Sequence, residues 1–207
     1  EEYGFVDLLT TYSGLLVVLI GLQMHQAIFR FLVTKRNDKD AIKQTVSSII
    51  CCIIVIFVAY ILIFMLISPV LKLSCKWFLV AHVLCSISLQ TVSGIARGLG
   101  KNADYACGNF VSSSTILILN VVLIAGFRLG VSAMLISYII GPILGTILMF
   151  FKCRIYAYFS VSNFKKEELR KVLEYSVPLV PNELSWSVIH SSDRWIVSAV
   201  LTVAANG

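Results

Sequence analysis

Charged residues divide the chain into long uncharged stretches. Leu8 to Phe29, Gln44 to Leu71, Trp77 to Ala96, Tyr105 to Phe127 and Leu129 to Phe151 hold 22, 28, 20, 23 and 23 residues. About 20 apolar residues in a helix cross a hydrocarbon core of about 30 Å, so all five are long enough. A backbone without water must pair internally, which makes helix the default. Runs such as Ile49 to Ile67 do not alternate, as the strands of a membrane barrel would. A sixth stretch, Pro178 to Leu201, is interrupted by Glu183, His190, Asp193 and Arg194. The pattern predicts an all-α polytopic transmembrane bundle of about six spans.

Composition strengthens this reading. Apolar residues make up 58% of the 207 and charged residues 14%. Mean hydropathy is +0.88. A soluble domain carries about 25% charged residues, so a soluble enzyme and a disordered chain are both excluded. The net charge of +6 does not point to nucleic acid, because the basic residues lie between apolar runs. None of the six cysteines shows metal-site spacing, and no metal or cofactor is expected. No H-E-x-x-H, G-x-S-x-G or P-loop lysine motif occurs, so no catalytic residue is assigned.

The basic residues set the orientation. The first, third and fifth connections hold 13 lysines and arginines, and the second and fourth hold 3. Positive residues stay inside, so Arg30 to Lys43, Arg97 with Lys101, and Lys152 to Lys171 are expected in the cytoplasm. The first span then enters from outside. Together with the absence of an initiator Met and a polar stop at Asn206-Gly207, this reads as a piece of a longer protein. The fifth connection predicts a basic amphipathic helix from a cap at Ser162 or Asn163 through Tyr175. Phe164, Leu169, Val172 and Leu173 form its apolar side, and Glu167 stands four residues before Lys171. Two readings of it stay open: a helix lying on the inner leaflet, or a solvated linker.

Polar groups inside spans cost a few kcal/mol in lipid, so they mark interhelical bonds or a cavity. Asp7 opens the first span, Gln90 lies late in the third and Asn120 is central to the fourth. His82, near a span end, reads as structural. Gly94, Gly98 and Gly100 read as turn and close-packing residues, and Gly141 and Gly145 as a small-xxx-small packing face. On the sixth span Asn182, Glu183, His190, Asp193 and Arg194 fall on one face about 120° wide, with Trp186 among them. That face is expected to meet a cavity or other helices. Pro178 and Pro181 at its start read equally as a hinge or as ordinary punctuation.

The run Tyr175-Ser-Val-Pro-Leu-Val-Pro-Asn-Glu-Leu-Ser-Trp, with Ser192-Asp193-Arg194-Trp195, resembles the start of the seventh helix in O-antigen flippases. These are polysaccharide transporters of the MOP exporter superfamily. Glu2-Tyr3-Gly4 is similar to the family's outer loop between helices one and two. Ala96-Arg97-Gly98-Leu99-Gly100-Lys101 is similar to its loop after helix four, and Val203-Ala204-Ala205-Asn206-Gly207 to the segment leading into helix eight.

The resemblance implies helices two to seven of a larger two-bundle, MATE-like transporter in the cytoplasmic (inner) membrane. Residues 1–151 would belong to the N-terminal bundle, 152–177 would form a cytoplasmic linker, and 178–207 would open the C-terminal bundle. The implied partners are a polyprenyl-pyrophosphate-linked oligosaccharide, membrane lipids and a coupling ion, H+ or Na+. The implied cavity lining is Asn182, Glu183, Trp186, His190, Asp193 and Arg194, with Asp7, Gln90 and Asn120. A cation-coupled drug antiporter of the same superfamily is an alternative, carried by Asp7, Glu183 and Asp193. A membrane glycan polymerase or acyltransferase is a second, but it needs a polar catalytic loop, and Ser68 to Lys76 and the turn at Arg128 are short.

Overall fold

The computed structural model describes residues 2–68 and 76–200, and every regular element among them is helical. α1 (Glu2–Gly21) and α2 (Met24–Thr34) come first, followed by α3 (Lys39–Ile67) and α4 (Lys76–Gly98). α5 (Asn102–Val121) continues as a π turn over Val122–Gly126. α6 (Val131–Lys152), two 3-10 turns (Ile155–Ala157 and Val161–Asn163), α7 (Lys166–Ser176) and α8 (Leu179–Val200) complete the order.

Among the described residues, α3, α4, α5 with its π turn, and α6 are long and apolar enough to cross a membrane. The bent pair of α1 and α2 makes a fifth crossing if counted as one span. Two expectations change here. The first span, read as continuous from Leu8 to Phe29, is broken. Leu22 and Gln23 adopt φ of 48° and 51°, a left-handed conformation rare for side-chain-bearing residues, and the axis bends by 46°. Gln23 restarts the helix by accepting from the Gln26 amide at 3.1 Å, and the two side chains bond at 3.1 Å. The sixth stretch is a 22-residue helix, as the pattern predicts, but it is not among those apolar enough to cross. Its charges at Glu183, Asp193 and Arg194 lower the hydropathy, so among the described residues four helices are apolar enough to cross, or five with the bent pair counted as one span.

α3 shows why such a sequence folds this way. The Asp38 carboxylate caps it, accepting from the Asp40 and Ala41 amides at 3.0 Å each. Its 29 residues exceed the about 20 that a bilayer needs, so its first turns, with Lys39, Asp40 and Lys43, extend beyond the hydrocarbon. Outward faces are apolar: Leu66 is 79% exposed and Phe110 72%. Rows of this kind are costly in water and ordinary in lipid.

Inside, glycines let backbones approach. A Cβ on Gly94 would stand 2.7 Å from the His25 carbonyl oxygen, and one on Gly98 2.6 Å from the Leu32 Cβ, so α4 lies directly on α2. A Cβ on Gly145 would stand 2.8 Å from the Gly108 carbonyl oxygen, and Gly141 meets Ile116 and the Ser112 backbone, which closes α5 on α6. Gly100 has φ of 79° and turns the chain between α4 and α5. The packing roles read for these glycines are the ones the structure shows. His82 is likewise structural, with Nδ1 2.8 Å from Ser13 Oγ and its ring stacked on Phe78.

The first, third and fifth connections meet at one end, as the basic count requires. Arg36 donates from Nε to the Gly98 carbonyl at 2.8 Å and from Nη2 to the Arg97 carbonyl at 3.0 Å. Lys101 Nζ donates to the Cys153 carbonyl at 2.9 Å.

Gly94→Ala should destabilise the detergent-solubilised protein by about 1–3 kcal/mol, because a well-packed seam cannot absorb a methyl group. Gly14→Ala, with nothing within 4 Å of its Cβ, should leave the thermal midpoint unchanged or raised. Equal midpoints for the two variants would show that the α2–α4 seam is not close-packed.

Candidate functional site

The end of the bundle where the first, third and fifth connections meet carries a strap, residues 153–176, laid across α2 and α3. Two buried serines on α3 hold its backbone. Ser47 Oγ accepts from the Ser160 amide at 3.0 Å and donates to the Tyr158 carbonyl at 3.2 Å. Ser48 Oγ accepts from the Lys165 amide at 2.9 Å and donates to the Lys165 carbonyl at 3.2 Å. This grip turns the chain before α7 can start. α7 therefore begins at Lys166 without a side-chain cap, and neither Ser162 nor Asn163 caps it. Its apolar side packs into the main core: Val172 is buried, and Leu169, Leu173 and Tyr175 lie against the cluster containing Leu32 and Val46. Protein covers the face that was expected to meet lipid or water. Phe164, the first residue assigned to that face, stays exposed outside the helix.

An ion network fastens the same helix. Lys35 donates to Glu168 and, at 3.0 Å, to Thr45 Oγ1. Lys171 bonds Glu168 at 3.1 Å, and not Glu167, which the four-residue spacing had paired with it. Partial burial pushes the Glu168 carboxyl up, but the hydrogen bonds from Lys35 and Lys171 outweigh it and hold the group below the usual glutamate range.

The strap carries Tyr175 to a cavity of about 640 Å³ between α2 and the C-terminal end of α4. His25, Gln26, Phe29 and Arg30 of α2 line it, with Arg97 of α4 opposite. The guanidinium of Arg30 lies 4.4 Å above the Tyr175 ring. The guanidinium of Arg97 lies 5.1 Å from both the Phe29 and Tyr105 rings. Among the described residues, no carboxylate lines the cavity and neither arginine has an ion pair. Arg97 Nε is buried without a hydrogen-bond partner among those residues. Sequence reasoning counted Arg30 and Arg97 only as loop charges and passed over His25. The available signal was the spacing His25, Gln26, Phe29, Arg30, Val33, Thr34, which is one helical face. A larger cavity of about 1020 Å³ between α1 and α3 is lined by residues such as Leu8, Tyr12, Leu19, Tyr60 and Ile63, with no charged residue among the described lining.

Of the residues expected from the sequence to line a cavity, the described side chains of Asp7, Gln90, Asn120, Asn182, Glu183 and Trp186 are not in the lining of either one. Asp7 is half-buried in the first turns of α1, and Gln90 is half-buried on α4. Asn120, near the end of α5, has a buried Oδ1 without a partner among the described residues. On α8, Asn182 and Trp186 are exposed and Glu183 is half-buried. The side chains of His190, Asp193 and Arg194 lie outside the described residues, as does the whole Val203–Gly207 motif. α8 packs on α1, the helix that carries Asp7. Pro178 precedes α8 and Pro181 sits in its first turn, where a missing N–H costs nothing.

A protein-family model described as "Polysaccharide biosynthesis protein" matches residues 1–207. No curated protein and no solved structure matches the chain.

The Glu168 network generates a pH-dependent outcome. Because the folded carboxyl is depressed, its contribution is present above the ordinary glutamate pKa of about 4.3 and is lost as pH falls through the lower folded value. Charge-assisted hydrogen bonds contribute about 1.5–3 kcal/mol, so Glu168→Gln should speed amide exchange in α7 about tenfold or more at pH 7. The gap from the parent protein should close as the pH falls below about 4. Equal exchange at pH 7 would mean that the serine grip alone holds the strap.

Proposed function

The chain belongs to the polysaccharide biosynthesis protein family, and on that premise we propose that it carries a lipid-linked oligosaccharide from the cytoplasmic to the outer leaflet of the cell's inner membrane. The match over residues 1–207 is the observation that carries this reading. The multi-pass helical architecture supports it, because an amphiphile crossing a bilayer needs a path between spans for its polar head while its tail stays in lipid. The carrier is a polyprenyl pyrophosphate, an anion, and the basic inner end suits the leaflet from which it is taken. The reading requires no bond-making chemistry of the chain.

Within this reading, residues 1–151 form part of one bundle, 152–177 join the bundles at the cytoplasmic face, and α8 opens the second bundle. The polar face of α8, with Asn182, Glu183, Trp186, His190, Asp193 and Arg194, turns toward the transport path, to which Asp7, Gln90 and Asn120 contribute. Arg194 grips the pyrophosphate there, since a guanidinium fork meets phosphate oxygens in pairs. H+ or Na+ supplies the coupling.

Two outcomes test this. In a cell deleted for its flippase and carrying the full-length gene, Arg194→Ala should abolish surface polysaccharide at unchanged protein level, and Arg194→Lys should restore part of it. Normal glycan from Arg194→Ala would remove Arg194 from the path. If its role is only to neutralise a carboxylate, pairing Arg194→Ala with Asp7→Asn should restore glycan. For the orientation, Asn37→Cys in a background without native cysteines should resist an impermeant thiol reagent in intact cells. Ready labelling from outside would invert the topology.

A further inference from the structure

We infer that the cavity between Arg30 and Arg97 is a second binding site, which takes the phosphate of a lipid headgroup at the cytoplasmic end of the bundle. It depends on the transport reading only for which lipid fills it in the cell.

The chemistry of the lining points to an anion. Among the described residues, two guanidiniums share one space with no carboxylate in its lining, and neither is spent in an ion pair. Arg97 Nε has no hydrogen-bond partner among the described residues and is closed to solvent, so a ligand would meet the guanidiniums through their other N–H groups. A phosphate oxygen is the acceptor a guanidinium edge fits best. Gln26 and Thr34 add neutral hydrogen-bonding groups to the rim.

The aromatic rings position the cations. A guanidinium lies over one face each of Phe29, Tyr105 and Tyr175, and these contacts hold the planar cations in place. The two halves of the cavity are also fixed in advance. Gly94 and Gly98 bring α4 onto α2, so the spacing of Arg97 and Arg30 is set by backbone contact, and little ordering is left to oppose binding.

The apolar edge decides between a soluble ion and a lipid. Phe29 and Val33 line the cavity and are each 39% exposed. They stand on the same helix as the exposed Arg30, close to the level where α2 ends at Thr34. A mouth with cations inside and apolar groups on its lip matches the depth at which acyl chains meet phosphates. Basic pockets between helices at the cytoplasmic side are suited to anionic headgroups on these grounds.

The test uses the purified full-length protein in a neutral detergent, with binding read as thermal stabilisation during titration. The probes are a short-chain polyprenyl diphosphate, phosphatidylglycerol, the matching uncharged polyprenol and inorganic pyrophosphate. Both phosphate lipids should stabilise the protein, and the polyprenol should not. Arg30→Gln and Arg97→Gln should each weaken the phosphate-lipid response about tenfold or more. Arg97→Lys, which keeps the charge and loses the fork, should fall between. Arg30 is exposed, so its variant keeps the test open even if Arg97→Gln does not fold. Stronger binding of the polyprenyl diphosphate makes the cavity a loading site for the carrier, and equal binding of both lipids makes it a general phospholipid site. Each supports the inference. Pyrophosphate binding as tightly as the lipids would overturn the lipid assignment. An undiminished response in Arg30→Gln and Arg97→Lys would overturn the site. Binding is measured apart from glycan export, so a protein that binds but fails to restore surface polysaccharide refutes the transport reading and leaves this inference standing.

Discussion

A helix in lipid ends on carbonyls that have no amide partners, and water cannot reach them until the chain leaves the hydrocarbon. Three spans here solve that problem with cations. Arg36 donates to the last carbonyls of α4, Lys101 to the Cys153 carbonyl just past α6, and Lys76 to the Ser68 carbonyl at 2.9 Å just past α3. Each cation also meets the negative end of a helix dipole. In two of the three cases, the basic residue comes from a different connection than the one it caps. The same charges that set the topology therefore tie the first, third and fifth connections together. This convergence places the strap on α2 and α3, brings Tyr175 beneath Arg30, and keeps Arg36 occupied, while Arg30 and Arg97 lie over rings without an ion pair among the described residues.

The spans were legible because length and hydropathy alone determine them. α3, α4, α5 and α6 match four uncharged stretches to within a few residues at their ends. The glycine seams were legible too, since small residues spaced by four have few other uses in lipid. The break at Leu22–Gln23 was not. It depends on two ordinary residues taking a left-handed conformation, and nothing in an uncharged run marks that. The polar cluster Gln23, His25, Gln26 was the available hint, hidden by the absence of formal charge. α7 was found, but its covering was misjudged. An amphipathic pattern shows that one face is apolar and does not say whether lipid or protein will cover it. The deciding groups, Ser47 and Ser48, lie more than 100 positions away.

The candidate site shows the same limit in sharper form. The polar face proposed for α8 rests on one helix alone, because its residues share a wheel. The cavity at Arg30 and Arg97 could not, because it exists only when α2, α4 and α7 meet. A count of basic residues treats Arg30, Arg36 and Arg97 alike. Their environments separate them: Arg36 is spent on carbonyls, and the other two lie over aromatic rings with edges free of carboxylates.

That separation bears on how a charged headgroup leaves water in the proposed transport. Moving a phosphate from water toward the bilayer interior forfeits its hydration, and the loss is steep unless protein donors replace water as it goes. A single cation deep in a path would have to offset the whole cost at once. A cationic cavity at the inner end replaces part of the hydration shell while the headgroup is still at the interface. The α1–α3 cavity is the complement: among the described residues its lining is aliphatic and aromatic, with the hydroxyls of Tyr12 and Tyr60 and no charge. Charge at the inner end of α2 and apolar walls along α1 are joined by the bend at Gln23. The kink that the sequence concealed thus turns one span into two surfaces of opposite chemistry, which is the arrangement an amphiphilic substrate needs.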